Sequence, residues 1–90
     1  MKKSNFKIRF SKQAKQDLKL ISKSPYAEKF VKLIHLVEKN PFAEPPLFEM
    51  LLRDQKYSRR INIQHRLVYE VDMENCIITV LSCWTHYHGK

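Results

Sequence analysis

A short proline-rich segment at residues 41–46 divides the sequence into two halves of different periodicity. Three of its six residues are proline, which has a fixed φ and no backbone N–H to donate. The segment therefore cannot continue a helix or a paired strand, and we expect an extended connector at the surface. Before it, apolar residues recur at helical spacing; after it, β-branched and aromatic residues come in short runs. The fold must therefore combine helices and strands.

The N-terminal half predicts one strand followed by two helices. Residues 6–10 alternate apolar and basic side chains, which is the period of a strand with one buried face. Ser11 is the expected N-cap of a first helix, whose apolar residues form one stripe. Ser24 is the expected N-cap of a second helix, with Pro25 in its first turn. The Asn-Pro pair at 40–41 is expected to end that helix.

Four short runs after the connector predict strands. They are rich in β-branched and aromatic residues, and they span residues 48–52, 57–63, 66–71 and 76–84. The polar segment 72–75 is the clearest hairpin connection. One strand, two helices and a run of antiparallel strands predict an α+β fold, in which both helices cover one face of a twisted sheet and leave the other for a ligand. Ninety residues are too few for two independent cores, so we expect a single domain over residues 1–90.

The chain is strongly basic. Seventeen Lys and Arg stand against nine Asp and Glu, which gives a formal net charge of +8. This charge favours a polyanionic partner, because Lys and Arg release condensed counterions when they contact nucleic-acid phosphates. An acidic protein would exploit the same field. A basic surface without such a partner also occurs in small soluble domains, so charge alone leaves these interpretations open.

Cysteine usage and hydropathy indicate the compartment. Cys76 and Cys83 are the only cysteines, and their odd separation would place them on opposite faces of a strand, as small core residues and not as a disulfide or zinc site. No secretory segment opens the chain, and no apolar run approaches the roughly 20 residues that span a bilayer. We therefore expect a reducing cytoplasm and no membrane association. Since the sequence has no glycine-rich phosphate loop, we expect no nucleotide cofactor.

Two arginines are candidates for holding a phosphate. Strand alternation places Arg60 on the open face, and Arg66 on the next strand can lie beside it. Two adjacent guanidiniums form a clamp for phosphate oxygens. The alternative is that either arginine only pairs with Glu70 or Glu74 on a solvated surface, and taken alone the residues slightly favour that alternative.

The other groups that RNA cleavage requires are also present. A base must activate the ribose 2′-OH and an acid must protonate the leaving 5′-oxygen. Glu49, just past the connector, is the best-placed carboxylate for the base, although a lone glutamate is usually an ordinary surface residue. The run 84–88 brings imidazole and aromatic rings to the end of the last strand, where they could donate a proton and stack on a base. A frayed basic tail is an equally open interpretation. His86 and His88 lack the ligand cluster of a metal site, so no metal is expected.

Four segments of the sequence resemble the YoeB/Txe toxins of bacterial toxin–antitoxin pairs, within the RelE superfamily. They are residues 40–42 (Asn-Pro-Phe), 49–51 (Glu-Met-Leu), 58–71 and 84–87 (Trp-Thr-His-Tyr). The run 58–71 reads Ser-Arg-Arg-Ile-Asn-Ile-Gln-His-Arg-Leu-Val-Tyr-Glu-Val and is the most specific part. The resemblance covers nearly the whole chain. It implies a RelE-like fold and a ribosome-dependent endoribonuclease that cuts mRNA in the A site without a metal ion and leaves 2′,3′-cyclic or 3′-phosphate ends.

The resemblance also assigns roles to residues of this chain. Its general base falls on Glu49, its general acid on His86 and its phosphate-holding arginines on Arg60 and Arg66, while Tyr87 is the aromatic that helps hold the substrate. Arg59 lies in the same run and is included with Arg60 and Tyr87 among the expected RNA-binding residues. His65 faces away from Arg66 and is expected to cap a turn or support the core.

The partners that the resemblance implies are mRNA, ribosomal RNA and a cognate YefM/Phd-like antitoxin, whose acidic disordered segment would fold onto the same surface. Because relatives form homodimers, a homodimer is a further expectation. Two alternatives stay open: a non-enzymatic toxin that blocks a protein such as a gyrase, as ParE-type members do, and a catalytically impaired RNA-binding domain. The second arises because segment 52–57 is shorter than the family's Asn-Leu-Ser-Gly turn and lacks glycine. The chain also extends beyond Tyr87 by residues 88–90.

Overall fold

The computed structural model describes residues 6–51 and 55–84. In chain order the elements are β1 (Lys7–Phe10), α1 (Lys12–Ile21), α2 (Ala27–Lys39), β2 (Phe48–Leu51), β3 (Lys56–Arg60), β4 (Arg66–Asp72) and β5 (Ile77–Ser82). The strands form one sheet in the order β1-β5-β4-β3-β2. β1 pairs with β5 in parallel, whereas the other neighbours are antiparallel. The predicted α+β architecture is confirmed.

Both helices pack on one face of the sheet. The core is a single cluster formed by Ala14 and Ile21 of α1, Phe30, Leu33 and Val37 of α2, and alternate residues of the central strands, Leu67, Tyr69, Val71, Ile78 and Val80, with Ile61 and Cys83. Because successive strand residues point to opposite faces, this alternation places the core on the helical side of β4 and β5. The opposite face of β2, β3 and β4 carries Glu49, Ser58, Arg60 and Arg66. None of the helices in the described part of the chain is long and apolar enough to cross a membrane.

The caps of the two helices differ. The Ser11 hydroxyl accepts from the Ala14 N–H at 3.1 Å and donates to the Leu81 carbonyl at 3.0 Å, so the predicted cap also ties α1 to β5. Ser24 is not the N-cap of α2, which begins at Ala27 after Tyr26. The predicted start at Ser24 and Pro25 was too early, because the Ser24 hydroxyl instead closes the link between the helices by accepting from the Tyr26 N–H and donating to the Ile21 carbonyl.

The turn between β3 and β4 shortens the strand predicted over residues 57–63. β3 ends at Arg60, because the Ile61 N–H turns back to the His65 carbonyl at 2.8 Å and the Asn62 side chain accepts from the His65 N–H. At the predicted turn 72–75, the Asp72 carboxylate accepts from Asn75, which confirms the turn.

The two cysteines have different environments. Cys83 is fully buried, as predicted for a core residue. Cys76 is exposed, and the prediction of a core position for it was wrong. The physical reason is that β5 begins only at Ile77, so Cys76 belongs to the turn, where its φ is 55°.

Candidate catalytic and RNA-binding site

The strand register brings the candidate residues to the sheet face opposite the helices. Glu49 on β2 is paired with Ser58 on β3, and Arg60 on β3 is paired with Arg66 on β4. Ser58 and Arg60 are two residues apart on one strand and therefore share a face. Glu49 and the two arginines thus meet on neighbouring strands, as the sequence predicted for Arg60 and Arg66.

Arg66 links three strands through its guanidinium. Its Nη2 donates to Glu49 Oε1 at 2.7 Å and its Nε donates to the Ser58 hydroxyl at 2.5 Å. The Arg66 side chain is 26% exposed, whereas that of Glu49 is 70% exposed. Arg66 is therefore oriented by two partners, while Glu49 stays open to an incoming group. Among the described residues, the carboxylate partner of Arg66 is Glu49. It is not Glu70 or Glu74, which the sequence left as alternatives.

A cleft of about 470 Å³ opens above this pair. It is lined by Pro46, Leu47, Phe48, Glu49, Arg60 and Arg66. Arg60 is exposed, so its positive charge faces solvent at the edge of the cleft beside the Arg66 guanidinium. Two cations and one carboxylate around an open cleft can bind a phosphodiester and accept a proton from a neighbouring hydroxyl.

Arg59 does not belong to this face. It is 0% exposed, and its three hydrogen bonds go to the Tyr69 hydroxyl and to the carbonyls of Pro41 and Pro46. The expectation that Arg59 contacts RNA is therefore corrected. Strand alternation turns its side chain toward the connector, where backbone carbonyls bind the guanidinium.

His65 supports the core, as expected. It is 7% exposed, and its Nδ1 donates to the Trp84 carbonyl at 2.5 Å. Its ring stacks on the Trp84 ring with centroids 4.1 Å apart and also contacts Tyr26. This contact fixes the end of the last described segment against the β3–β4 turn.

The predicted general acid His86 and the aromatic Tyr87 lie outside the described residues, and so do residues 88–90. The roles of His86 as general acid and of Tyr87 as substrate-holding aromatic stay predictions. Within residues 6–51 and 55–84, no group of three or more His, Cys, Asp or Glu side chains could hold a metal ion.

Two features of the site were missed by reasoning from sequence. Ser58 shares the face of Arg60 by strand alternation, but its role as the acceptor that orients Arg66 depends on the strand register. The hydrogen-bonded pair of Arg59 and Tyr69 has no sequence pattern of its own. Burial raises the pKa of the Tyr69 hydroxyl, although the hydrogen bond from Arg59 acts in the opposite direction. The hydroxyl thus stays protonated at neutral pH, so it can donate to the Pro41 carbonyl at 2.7 Å.

Solved structures resemble this chain over most of its length. A YoeB/ParE toxin from Agrobacterium tumefaciens is 29% identical with a TM-score of 0.80, and the match covers 90% of this chain and 99% of that one. The toxin of the YoeB-YefM complex from Staphylococcus aureus is 34% identical with a TM-score of 0.75, over 91% of this chain and 98% of that one. The E. coli DinJ-YafQ complex matches at 18% identity with a TM-score of 0.76, covering 90% and 93%, and shows the fold alone.

A comparison with curated proteins gives no significant match. The family model that matches is that of the YoeB-like toxins of bacterial type II toxin–antitoxin systems, over residues 10–87. Since this match spans most of the sequence, the chain belongs to the YoeB-like toxins of bacterial type II toxin–antitoxin systems.

Proposed function

We propose that this toxin is a ribosome-dependent endoribonuclease that cuts mRNA in the A site by acid–base chemistry. The observation that carries the proposal is the bridging of Glu49 and Ser58 by Arg66, beside Arg60, on an open face of the sheet. A carboxylate and two guanidiniums around one cleft are the charges that a 2′-OH attack on a phosphodiester needs.

In the proposed reaction Glu49 takes the proton of the ribose 2′-OH. The 2′-oxygen then forms a bond to phosphorus, and the bond from phosphorus to the 5′-oxygen breaks. His86 gives a proton to the leaving 5′-oxygen, while Arg60 and Arg66 bind the non-bridging oxygens, on which negative charge grows. The products are a 5′-hydroxyl end and a 2′,3′-cyclic phosphate, which water can open to a 3′-phosphate. No step calls for a metal ion or a cofactor.

The ion pair between Arg66 and Glu49 is present in the site before RNA binds. A phosphate oxygen competes with the Glu49 carboxylate for the Arg66 Nη2 donor, because both are anionic acceptors of the same fork. When the phosphate takes that donor, the Glu49 carboxylate is released to accept the 2′-OH proton. The Glu49 carboxylate is thus freed to act as a base only when Arg66 has bound a substrate phosphate.

The supporting partners follow from the family and the charge. The Staphylococcus aureus relatives are solved as a complex with YefM and as a dimer. For this chain we infer a cognate YefM-like antitoxin, a homodimeric state and a single toxin domain over residues 1–90 that acts on cytoplasmic ribosomes. Tyr87 is inferred to hold the exposed codon by stacking. The net charge of +8 attracts both ribosomal RNA and an acidic antitoxin segment.

The test maps mRNA 5′ ends on translating ribosomes with purified protein. The parent and Glu74→Gln, which removes an exposed carboxylate in the distant turn, should cut at the A-site codon. Glu49→Gln and His86→Gln should leave the message whole. Intact transcripts with the parent, together with DNA damage in induced cells, would contradict the nuclease and support the target-blocking alternative. Intact transcripts with ribosome binding retained would instead support an impaired RNA-binding domain.

A further inference from the structure

A buried arginine lies directly beneath the candidate site. Arg59 is the largest fully buried side chain of the described residues, and its guanidinium carbon lies 5.1 Å from the centroid of the Phe48 ring. Its hydrogen-bond partners in the described part of the chain are neutral: the Tyr69 hydroxyl at 2.9 Å, the Pro41 carbonyl at 2.9 Å and the Pro46 carbonyl at 2.5 Å.

This arrangement is not explained by packing alone. Removing a guanidinium from water is unfavourable unless its donors are bound, and an apolar side chain would fill the same space without that cost. What a guanidinium adds is a planar fork that holds several acceptors in fixed directions. A buried network in which each guanidinium nitrogen is hydrogen-bonded specifies one geometry of the groups it joins.

The groups joined here are the two ends of the connector. Pro41 follows α2 and Pro46 precedes β2, and neither residue has an N–H with which to pair to the sheet. Arg59 donates to both carbonyls, and the Tyr69 hydroxyl, which accepts from Arg59, donates to Pro41 as well. The donors that hold the connector therefore come from β3 and β4.

The connector leads directly to the candidate base. Phe48 pairs with Arg59 across the β2–β3 ladder, and Glu49 is the next residue. Strand β2 is an edge strand with β3 as its neighbour, so its entry point depends on where the connector ends. Phe48 also packs against Phe42 and Tyr57, so the ring that lies beside the guanidinium belongs to an aromatic cluster.

We propose that Arg59, assisted by Tyr69, is a positioning residue that fixes the connector so that Glu49 meets Arg66 in the cleft. The positioning is a property of the folded chain. Its consequence for catalysis rests on the nuclease function proposed above, and the two are measured separately below.

The first measurement does not depend on activity. The side-chain N–H signals of Arg66 and the carboxyl signal of Glu49 are followed by NMR in the parent, Tyr69→Phe, Arg59→Met and Arg59→Lys. Glu49→Gln defines the signals of Arg66 without its anionic partner. Because Nη2 is the donor to Glu49, the Arg66 Nη–H signal of Arg59→Met should move toward that reference, with a smaller shift in Tyr69→Phe. Arg59→Lys should not restore the parent signal, because an ammonium cannot span the three acceptors.

The second measurement is single-turnover cleavage on ribosomes. Loosening the connector should lower the cleavage rate, since a misplacement of about 1 Å costs on the order of a hundredfold. Ribosome affinity should stay within about twofold of the parent, because the loss is confined to the chemical step. The control is Ile78→Val, a buried change on β5. Its cleavage rate is compared with that of the Tyr69→Phe or Arg59→Met variant whose Tm is nearest to its own.

The outcomes separate the two ideas. Parent-like Arg66 and Glu49 signals in folded Tyr69→Phe and Arg59→Met would overturn the positioning role, and so would equal losses of rate in Ile78→Val at equal Tm. A parent that leaves mRNA whole would remove the nuclease while the NMR result still decides the positioning. If Arg59→Met does not fold, Tyr69→Phe decides alone.

Discussion

Arg66 on β4 reaches across β3 to bind Glu49 on β2, with Nη2 and Oε1 2.7 Å apart. The Ser58 hydroxyl on the intervening strand accepts from its Nε. Because Glu49 is largely exposed, the ion pair should contribute only about 0–1 kcal/mol to folding. The contact therefore matters for the orientation of the guanidinium and not for stability.

Replacing Arg66 by lysine tests the need for a fork. Lysine keeps the charge but cannot bind Ser58 and the Glu49 carboxylate, or a phosphate, in fixed directions. We expect A-site cleavage by Arg66→Lys to fall by roughly a hundredfold, the order of a lost transition-state donor. Rapid-quench cleavage assays on programmed ribosomes would measure this. Arg9→Lys, an exposed change on the distant edge strand β1, is the control, and equal rates for the two variants would argue against a directional role of Arg66.

Serine at position 58 should matter through Arg66. In Ser58→Ala the Arg66 Nε loses its acceptor, while the small buried side chain leaves little space behind. We expect an unfolding free energy lower by about 1 kcal/mol, the ordinary worth of one hydrogen bond, and slower cleavage with unchanged ribosome binding. Urea unfolding and cleavage rates give the two numbers. In the background of Arg66→Ala the serine change should have a smaller effect, and additive losses would refute the coupling.

The predictable part of this fold followed local patterns. The alternation in residues 6–10, the Ser11 cap and the 72–75 turn each depend on neighbours in sequence, and the structure confirms them. Alternation also brought Arg60 and Arg66 together, because the pairing of adjacent strands extends a local period across the sheet.

The rest depends on partners distant in sequence. A charged residue such as Arg59 is expected at the surface, and only the approach of Pro41 and Pro46 supplies the carbonyls that let it be buried. The hydroxyl of Ser24 had two possible uses, and the packing between the helices selected the turn instead of the cap. Such choices follow from tertiary contacts that a local pattern does not contain.

The turn before β5 should make stability depend on acid pH. Hydrogen bonds from the Asn75 side chain and backbone lower the pKa of Asp72. A carboxyl with a folded pKa below its unfolded value adds stability above the unfolded pKa, and this stability is lost as the pH falls through the folded pKa. Asp72→Ala should therefore be less stable than the parent at pH 7, and the difference should shrink toward about pH 2.

Urea unfolding at a series of pH values measures this difference. Glu44→Gln, which removes an exposed carboxylate on the connector, controls for the change in net charge. A stability difference between Asp72→Ala and the parent that stays constant with pH would show that the turn does not bind the ionised carboxylate.

The two thiols should differ in reactivity. Burial, and then the charge of Asp17, raises the pKa of Cys83 to about 12, and its Sγ donates to the Ala14 carbonyl. Since the thiolate is the nucleophile, iodoacetamide at pH 8 should label exposed Cys76 and spare Cys83 until the chain unfolds. Cys76→Ser isolates Cys83 for mass spectrometry, and rapid labelling of that folded variant would contradict its burial.

The raised pKa of Cys83 also makes stability depend on alkaline pH. The stabilisation by the neutral Cys83 thiol should be complete below the unfolded pKa of about 8.5 and be lost as the pH rises toward 12.

Arg60 should contribute to RNA binding through a phosphate contact. It is exposed at the cleft opposite Arg66, so Arg60→Gln removes a cation that can release a counterion from RNA. The slope of log affinity against log salt is negative, and it should become less steep by about 0.7 for single-stranded RNA. Lys7→Gln removes the same charge from the exposed edge strand β1 and should leave the slope nearly unchanged. The affinity of each variant for ribosomes that carry a non-cleavable 2′-deoxy codon, measured from low to high salt, gives the two slopes. Equal slopes for the two variants would mean that Arg60 acts through net charge alone, and the phosphate contact assigned to it would be withdrawn.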